Sequence, residues 1–185
     1  DISVMPFKGP VLAAYAYGHP ALRKPGDLDL LVRREQFDQA RELLVDADYE
    51  PEISADREEA YLRRNPGYPF HGEPCDVDLH WTLQHPAFGD FPQAFSVDCD
   101  QLFRKRCTVA LTGVPVTTLS EEYLALYLSV HGAKHSWKRM YLICDIAELL
   151  SRPDIDWSKV ARVARDLRME RFLSLSIILA NRLLG

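Results

Sequence analysis

The chain has 185 residues, 47% of them hydrophobic and 26% charged, and a formal net charge of −5. That suffices for one globular domain, or for a small domain with an appended helical bundle. The acidic balance excludes a main role in wrapping long nucleic acid, which calls for a basic footprint.

In chain order, residues 2–7 read as a short strand, and Lys8-Gly9-Pro10 follows. Proline suits the first turn of a helix, where its missing N–H costs nothing. A short helix is therefore expected over 11–17, ended by Gly18-His19-Pro20. Residues 21–26 form a loop holding Arg23 and Lys24. Residues 28–32 are a strand in which Asp27 and Asp29 alternate with apolar neighbours. Phe37, Ala40, Leu43 and Leu44 recur at helical spacing and define an amphipathic helix over 34–46. A strand is expected at 49–53 and a polar helix at 55–64.

Residues 75–81 form a second acidic strand. Val77, Leu79 and Trp81 lie on one face, and Asp76, Asp78 and His80 on the other. A loop is expected at 85–92. Residues 108–111 and 114–118 pair as a hairpin around Thr112-Gly113. From Ser120 the pattern turns helical. Ser120 is a good N-cap, and Glu121 and Glu122 complement the helix dipole. Helices are expected over 121–135, 137–151, 156–167 and 169–184. The change near residue 119 divides an α/β part, 1–119, from a helical part, 120–185.

Four cysteines, at 75, 99, 107 and 144, include no C-x-x-C pair. That argues against a zinc knuckle and for reduced thiols in a cytoplasmic protein. No apolar run approaches the roughly 20 residues needed to span a bilayer, so no membrane partner is expected. The chain opens on Asp1 and moves directly into a strand, so residues are expected to precede it.

Alternation along a strand puts Asp27 and Asp29 on the same face. Two carboxylates held together repel, and a divalent cation resolves the conflict. Mg2+ takes carboxylate oxygens together with substrate phosphates. Asp78 is the natural third member if the two acidic strands are neighbours. Three such carboxylates can hold two metals, or the third can act as a general base.

The order of elements is a strand, a glycine turn, a short helix, a basic loop, a D-x-D strand, a helix and a further acidic strand. It resembles the nucleotidyltransferase superfamily with the DNA polymerase β-like fold. The closer resemblance is to a bacterial group described as an uncharacterised nucleotidyltransferase family. The matching stretches are Phe7-Lys8-Gly9, residues 23–32 (RKPGDLDLLV), residues 77–81 (VDLHW), and residues 131–145 (HGAKHSWKRMYLICD) with Ile146 and Ala147.

The resemblance implies an α+β fold: a polymerase β-like mixed sheet with flanking helices, followed by a C-terminal helical bundle. It also implies dependence on Mg2+, with Mn2+ as a substitute, and on a nucleoside triphosphate such as ATP. Asp27, Asp29 and Asp78 become the catalytic and metal-holding residues. Two positions depart from the pattern. Pro10 follows Gly9 where relatives have serine, and Gly26 stands where many have serine before the first aspartate. A helix N-terminus still favours phosphate, and Lys8, Gly9, Arg23 and Lys24 are the expected phosphate-binding residues of this part.

In the helical part, His131 and His135 share a face. One reading is a zinc pair, although Gly132 stands where H-E-x-x-H requires Glu. A second is a structural histidine pair. The reading that fits the resemblance has His131, Lys134 and Arg139 facing the cleft and binding phosphates. Asp145, inside an apolar helix, is expected to orient Arg139 or Lys138. Trp137, Tyr123, Leu126, Tyr127 and Val130 are expected in the core. His80 shares the face of Asp78 and is expected beside the metal.

The expected function is transfer of a nucleoside monophosphate to a hydroxyl or phosphate of a small molecule or peptide, such as an antibiotic or a peptide natural product. The alternatives are a degenerate nucleotide- or protein-binding module, and a zinc hydrolase built on His131 and His135. The acceptor, the base and the oligomeric state are not written in the sequence.

Overall fold

The computed structural model describes residues 1–24, 26–83 and 97–185. The loop expected at 85–92 lies outside the described residues. The elements run β1 (Val4–Pro6), α1 (Gly9–Tyr17), β2 (Leu28–Val32), α2 (Phe37–Asp46), β3 (Glu50–Pro51), α3 (Ala55–Leu62), β4 (Gly67–His71) and β5 (Val77–His80). They continue with α4 (Cys99–Arg104), β6 (Arg106–Leu111), β7 (Val114–Leu119), α5 (Glu121–Lys134), α6 (Met140–Leu150), α7 (Trp157–Asp166) and α8 (Glu170–Leu184). Short 3-10 turns occupy Pro20–Leu22 and Arg34–Gln36, where a plain loop and the first turn of a helix were expected.

A five-stranded sheet has the order β1-β2-β5-β4-β3. β2 and β5 are parallel, and the other neighbours are antiparallel. β6 and β7 form the separate hairpin that the Thr112-Gly113 turn announces.

Strand periodicity sorts the side chains. Val77 and Leu79 of β5 and Val32 of β2 enter one core with Phe37, Ala40, Tyr68 and Phe70, and Leu28, Leu30 and Trp81 pack against it. Asp29 and Leu31 point the other way. Leu31 joins a larger core made by Met5, Phe7, Leu12 and the apolar faces of α5 to α8. Burying each leucine or phenylalanine contributes roughly 1.5–3 kcal/mol, so the sheet is clamped from both sides. This larger core draws on residues before and after residue 119.

α5 is buried continuously from Glu122 to Val130. A helix that is apolar around most of its circumference belongs inside, and here it is the hub for its neighbours. Ser120 occupies its N-cap position but makes no side-chain capping bond there. Asp156 does cap α7, accepting from the Lys159 N–H at 3.0 Å.

β4 has no counterpart in the sequence reading, because Pro69 interrupts its pattern. The Pro69 carbonyl accepts from the Glu52 N–H at 3.0 Å. A strand residue's nitrogen faces the same side as its carbonyl. The missing N–H therefore faces Glu52, where β3 ends, and costs β4 no bond to β5. α4 is likewise a helix the sequence reading did not anticipate; Asp98 caps it, accepting from the Asp100 N–H at 3.2 Å.

Candidate active site

The parallel register of β2 and β5 places Asp29 directly opposite Asp78. Neighbouring strands lie about 4.8 Å apart, so side chains on the same face meet. His80, two residues beyond Asp78, shares that face. One ligand atom each from Asp29, Asp78 and His80 lie within 4.8 Å of one another. His80 Nε2 is 3.1 Å from Asp78 Oδ2 and 3.3 Å from Asp29 Oδ1. Lys8 Nζ is 2.6 Å from Asp29 Oδ1.

Asp29 is fully buried, with 0% exposure. Its Oδ2 has no hydrogen-bond partner among the described residues. Burial disfavours the charge of Asp29, but His80 and Lys8 outweigh it and hold its carboxyl below the usual range. Burial likewise opposes the charge of His80, and the hydrogen bonds to Asp29 and Asp78 outweigh it and raise its pKa. Burial opposes the Lys8 charge too, and attraction to Tyr127 and Asp29 outweighs it.

A buried carboxylate with an unpaired oxygen, facing a second carboxylate, suits a hard divalent cation bound through oxygens. The donor set suits a divalent cation at Asp29 and Asp78, with His80 beside them. Asp27 precedes β2, is exposed, and lies outside the close group. It still belongs to the same field. Partial desolvation of its carboxyl and the Asp29 charge raise its pKa, and Lys8 opposes the shift.

Glycine makes the close approach possible at two points. Gly9 has φ +58° where β1 turns into α1, a conformation that side chains resist. Gly67 of β4 lies opposite His80. A Cβ there would come within 2.8 Å of Asp78 Oδ1 and of the His80 ring.

A cavity of about 580 Å³ opens beside Asp29, lined by Lys8, Gly9, Arg23, Lys24, Asp27, His131 and Arg139 among others. A second, of about 240 Å³, has Asp78, His80, Tyr61, Asn65, Gly67 and Lys134 in its wall. Lys8, Asp27, His131 and His135 line both. The expected phosphate-binding residues are thus distributed around one cleft. Lys134 lies in the second lobe and the others in the first, with Lys8 and His131 in both.

His131 and His135 adjoin at 4.7 Å between ring centroids, and His131 stacks on Tyr127 at 5.7 Å. No metal-ligating group of three among the described residues includes either histidine. Trp137 packs on the core with its six-membered ring against Gly132.

Asp145 does not orient Arg139 or Lys138. Arg139 is the N-cap residue of α6, outside the helix, whereas Asp145 sits on its buried face. There Asp145 accepts two hydrogen bonds from Arg23, at 2.8 and 3.0 Å, and one from the Tyr17 hydroxyl at 2.8 Å. Such a pairing across more than a hundred residues has no local sequence signal. The roles of Tyr61, Asn65 and Gly67 in the cleft wall were equally unannounced, because each reads as ordinary loop or helix surface.

Sheet order, the facing carboxylates and the cation-lined cleft fit the polymerase β-like fold, and the family match makes the protein a nucleotidyltransferase, a transferase. The chain belongs to the family described as uncharacterised nucleotidyltransferase, whose model matches residues 1–185. No curated protein matches it. Among solved structures it is similar in fold to the antibiotic-resistance factor ANT(2'')-Ia, with a TM-score of 0.60, 14% identity, and coverage of 94% of this chain and 85% of that one. It is also similar to an antigenic nucleotidyltransferase-like protein from Paracoccidioides brasiliensis, with a TM-score of 0.50, 17% identity, and coverage of 96% and 84%. No helix among the described residues is long and apolar enough to cross a membrane.

Proposed function

We propose that the protein transfers a nucleoside monophosphate from a nucleoside triphosphate, ATP among the candidates, to a hydroxyl or phosphate of a small molecule or peptide. The observation that carries the reading is the buried Asp29 facing Asp78 across parallel strands, with one oxygen unpaired. Asp29 and Asp78, with Asp27 at the rim, would hold Mg2+ or Mn2+. The metal, when bound, supplies charge neutralisation at the phosphates.

The rest is the work of side chains. Lys8, Arg23, Lys24, His131 and Arg139 line the larger lobe and offer cations to the triphosphate. Lys134 and Asp78 line the smaller lobe, where the acceptor would sit. The acceptor oxygen bonds to the α-phosphorus, pyrophosphate leaves, and the acceptor proton passes to Asp78. Residues 120–185 would form the unit that closes over nucleotide and acceptor, against the metal-holding unit 1–119. The similarity in fold to an antibiotic-resistance factor makes an antibiotic hydroxyl one acceptor to assay.

The competing reading is a degenerate module that binds nucleotide or a protein without turnover. Three features favour it: Lys8 already neutralises Asp29, Pro10 removes a donor at the turn, and Gly26 stands before Asp27. Thermal shift with ATP, CTP, GTP and UTP, with and without Mg2+, separates the two. Stabilisation that needs metal and disappears in Asp29→Asn supports the enzyme. A metal-independent shift, or none, supports the module.

A further inference from the structure

We infer that Asp145, together with Tyr17, is a positioning residue that fixes the Arg23 guanidinium as a preorganised phosphate-binding group of the cleft. The inference rests on the nucleotidyltransferase reading and deepens it.

Asp145 lies among Leu142, Ile143, Ile146 and Leu149 on the buried face of α6. Its side chain is 1% exposed. A carboxylate there is costly, and an apolar residue would serve stability at least as well. What an apolar residue cannot do is hold Arg23. The carboxylate takes Nε and Nη2 in a two-pronged pairing, which fixes the plane of the guanidinium. Tyr17 donates to Asp145 Oδ1 and locks the carboxylate in turn. Tyr141 lies against the guanidinium at 5.7 Å. Nη1 is left outside the pairing.

Arg23 lines the larger lobe beside Lys8 and Lys24, but Asp145 does not. Asp145 therefore acts through Arg23. Lys24 and Arg139 in the same wall are exposed, so ordering them on a phosphate costs rotamer entropy. Arg23 is already ordered, and that advantage depends on Asp145 and Tyr17.

The test uses the full chain and inorganic tripolyphosphate with Mg2+, read by titration calorimetry, so that base preference does not enter. Asp145→Asn and Arg23→Gln are each expected to weaken binding about tenfold, and the double variant to bind no worse than Arg23→Gln alone. Tyr17→Phe is expected to weaken binding by a smaller factor with its melting temperature little changed. A merely structural role would instead give wild-type affinity in Tyr17→Phe, or losses in the double variant that add. Either result overturns the inference. If Asp145→Asn fails to fold, Tyr17→Phe decides. A wild-type chain that binds neither tripolyphosphate nor any of the four triphosphates overturns the nucleotidyltransferase reading as well. Wild-type binding with unaffected variants overturns this inference alone.

Discussion

Asp29 and Asp78 are register partners on adjacent parallel strands, and His80 Nε2 bridges them at 3.3 and 3.1 Å. Lys8 completes the group from the end of β1. Lys8, and His80 when protonated, thus hold the two carboxylates together, and a metal ion would have to compete with them.

Removing Lys8 should therefore expose the cost of the arrangement. Lys8→Met leaves Asp29 buried beside a second carboxylate without its main counter-ion. Breaking a buried pair from one side costs about 3–5 kcal/mol. The expected outcome is a metal-free protein with a markedly lower melting temperature, partly recovered by millimolar Mg2+. Calorimetry with and without the ion measures both. A Lys8→Met protein as stable as the wild type would mean that the ion pair does not matter.

The pH dependence follows from two opposite shifts. The pKa of Asp29 is lowered on folding, so its contribution is present above the ordinary aspartate value and is lost as pH falls through the lowered folded value. The pKa of His80 is raised, so its contribution is present below the ordinary histidine value and is lost as pH rises through the raised folded value. The metal-free protein should gain most from this cluster between those two values. Metal binding should strengthen as pH rises toward the raised pKa of His80 and level off above it, because the cation displaces a proton from His80. Titration in two buffers of different ionisation enthalpy reads the released proton. Uptake of a proton, or affinity that is flat with pH, would contradict the assignment.

Gly67 supplies the room for this cluster. Gly67→Ala puts a Cβ 2.8 Å from Asp78 Oδ1 and from the His80 ring. Forcing atoms into a packed site costs about 1–3 kcal/mol. Mg2+-dependent stabilisation by nucleotide should fall well beyond what the loss of stability explains. Unchanged metal dependence in Gly67→Ala would show that the glycine has no part in the site.

Asp29→Asn keeps the size of the side chain and removes its charge. If the carboxylate organises phosphoryl transfer, turnover should fall by about 10²–10³, while far-ultraviolet circular dichroism stays that of the wild type. Pyrophosphate release assayed with each triphosphate and Mg2+ gives the number.

The parts of this site that could be read from sequence are those written in local periodicity. Alternation around Leu28, Leu30 and Val32 fixed which face Asp29 occupies, and the same logic placed Asp78 beside His80. The four C-terminal helices were equally legible, because their apolar spacing is regular. What escaped depends on contacts between distant segments. Pro69 hid β4 until its carbonyl was seen to face the edge where β3 stops. Sequence shows only near neighbours and points Asp145 to Arg139 or Lys138, whereas its partners Arg23 and Tyr17 are more than a hundred residues away. His80 was expected beside the metal, but its bridge between two carboxylates needs the parallel register of β2 and β5.

The most direct measurement is a crystal soaked with Mn2+ and a non-hydrolysable triphosphate, with anomalous scattering used to locate the ion. The account predicts an anomalous peak within coordination distance of both Asp29 and Asp78, with the triphosphate extending toward Arg23 and Lys24. A triphosphate bound without any ion at those two carboxylates, or an ion held by His131 and His135 instead, would contradict it.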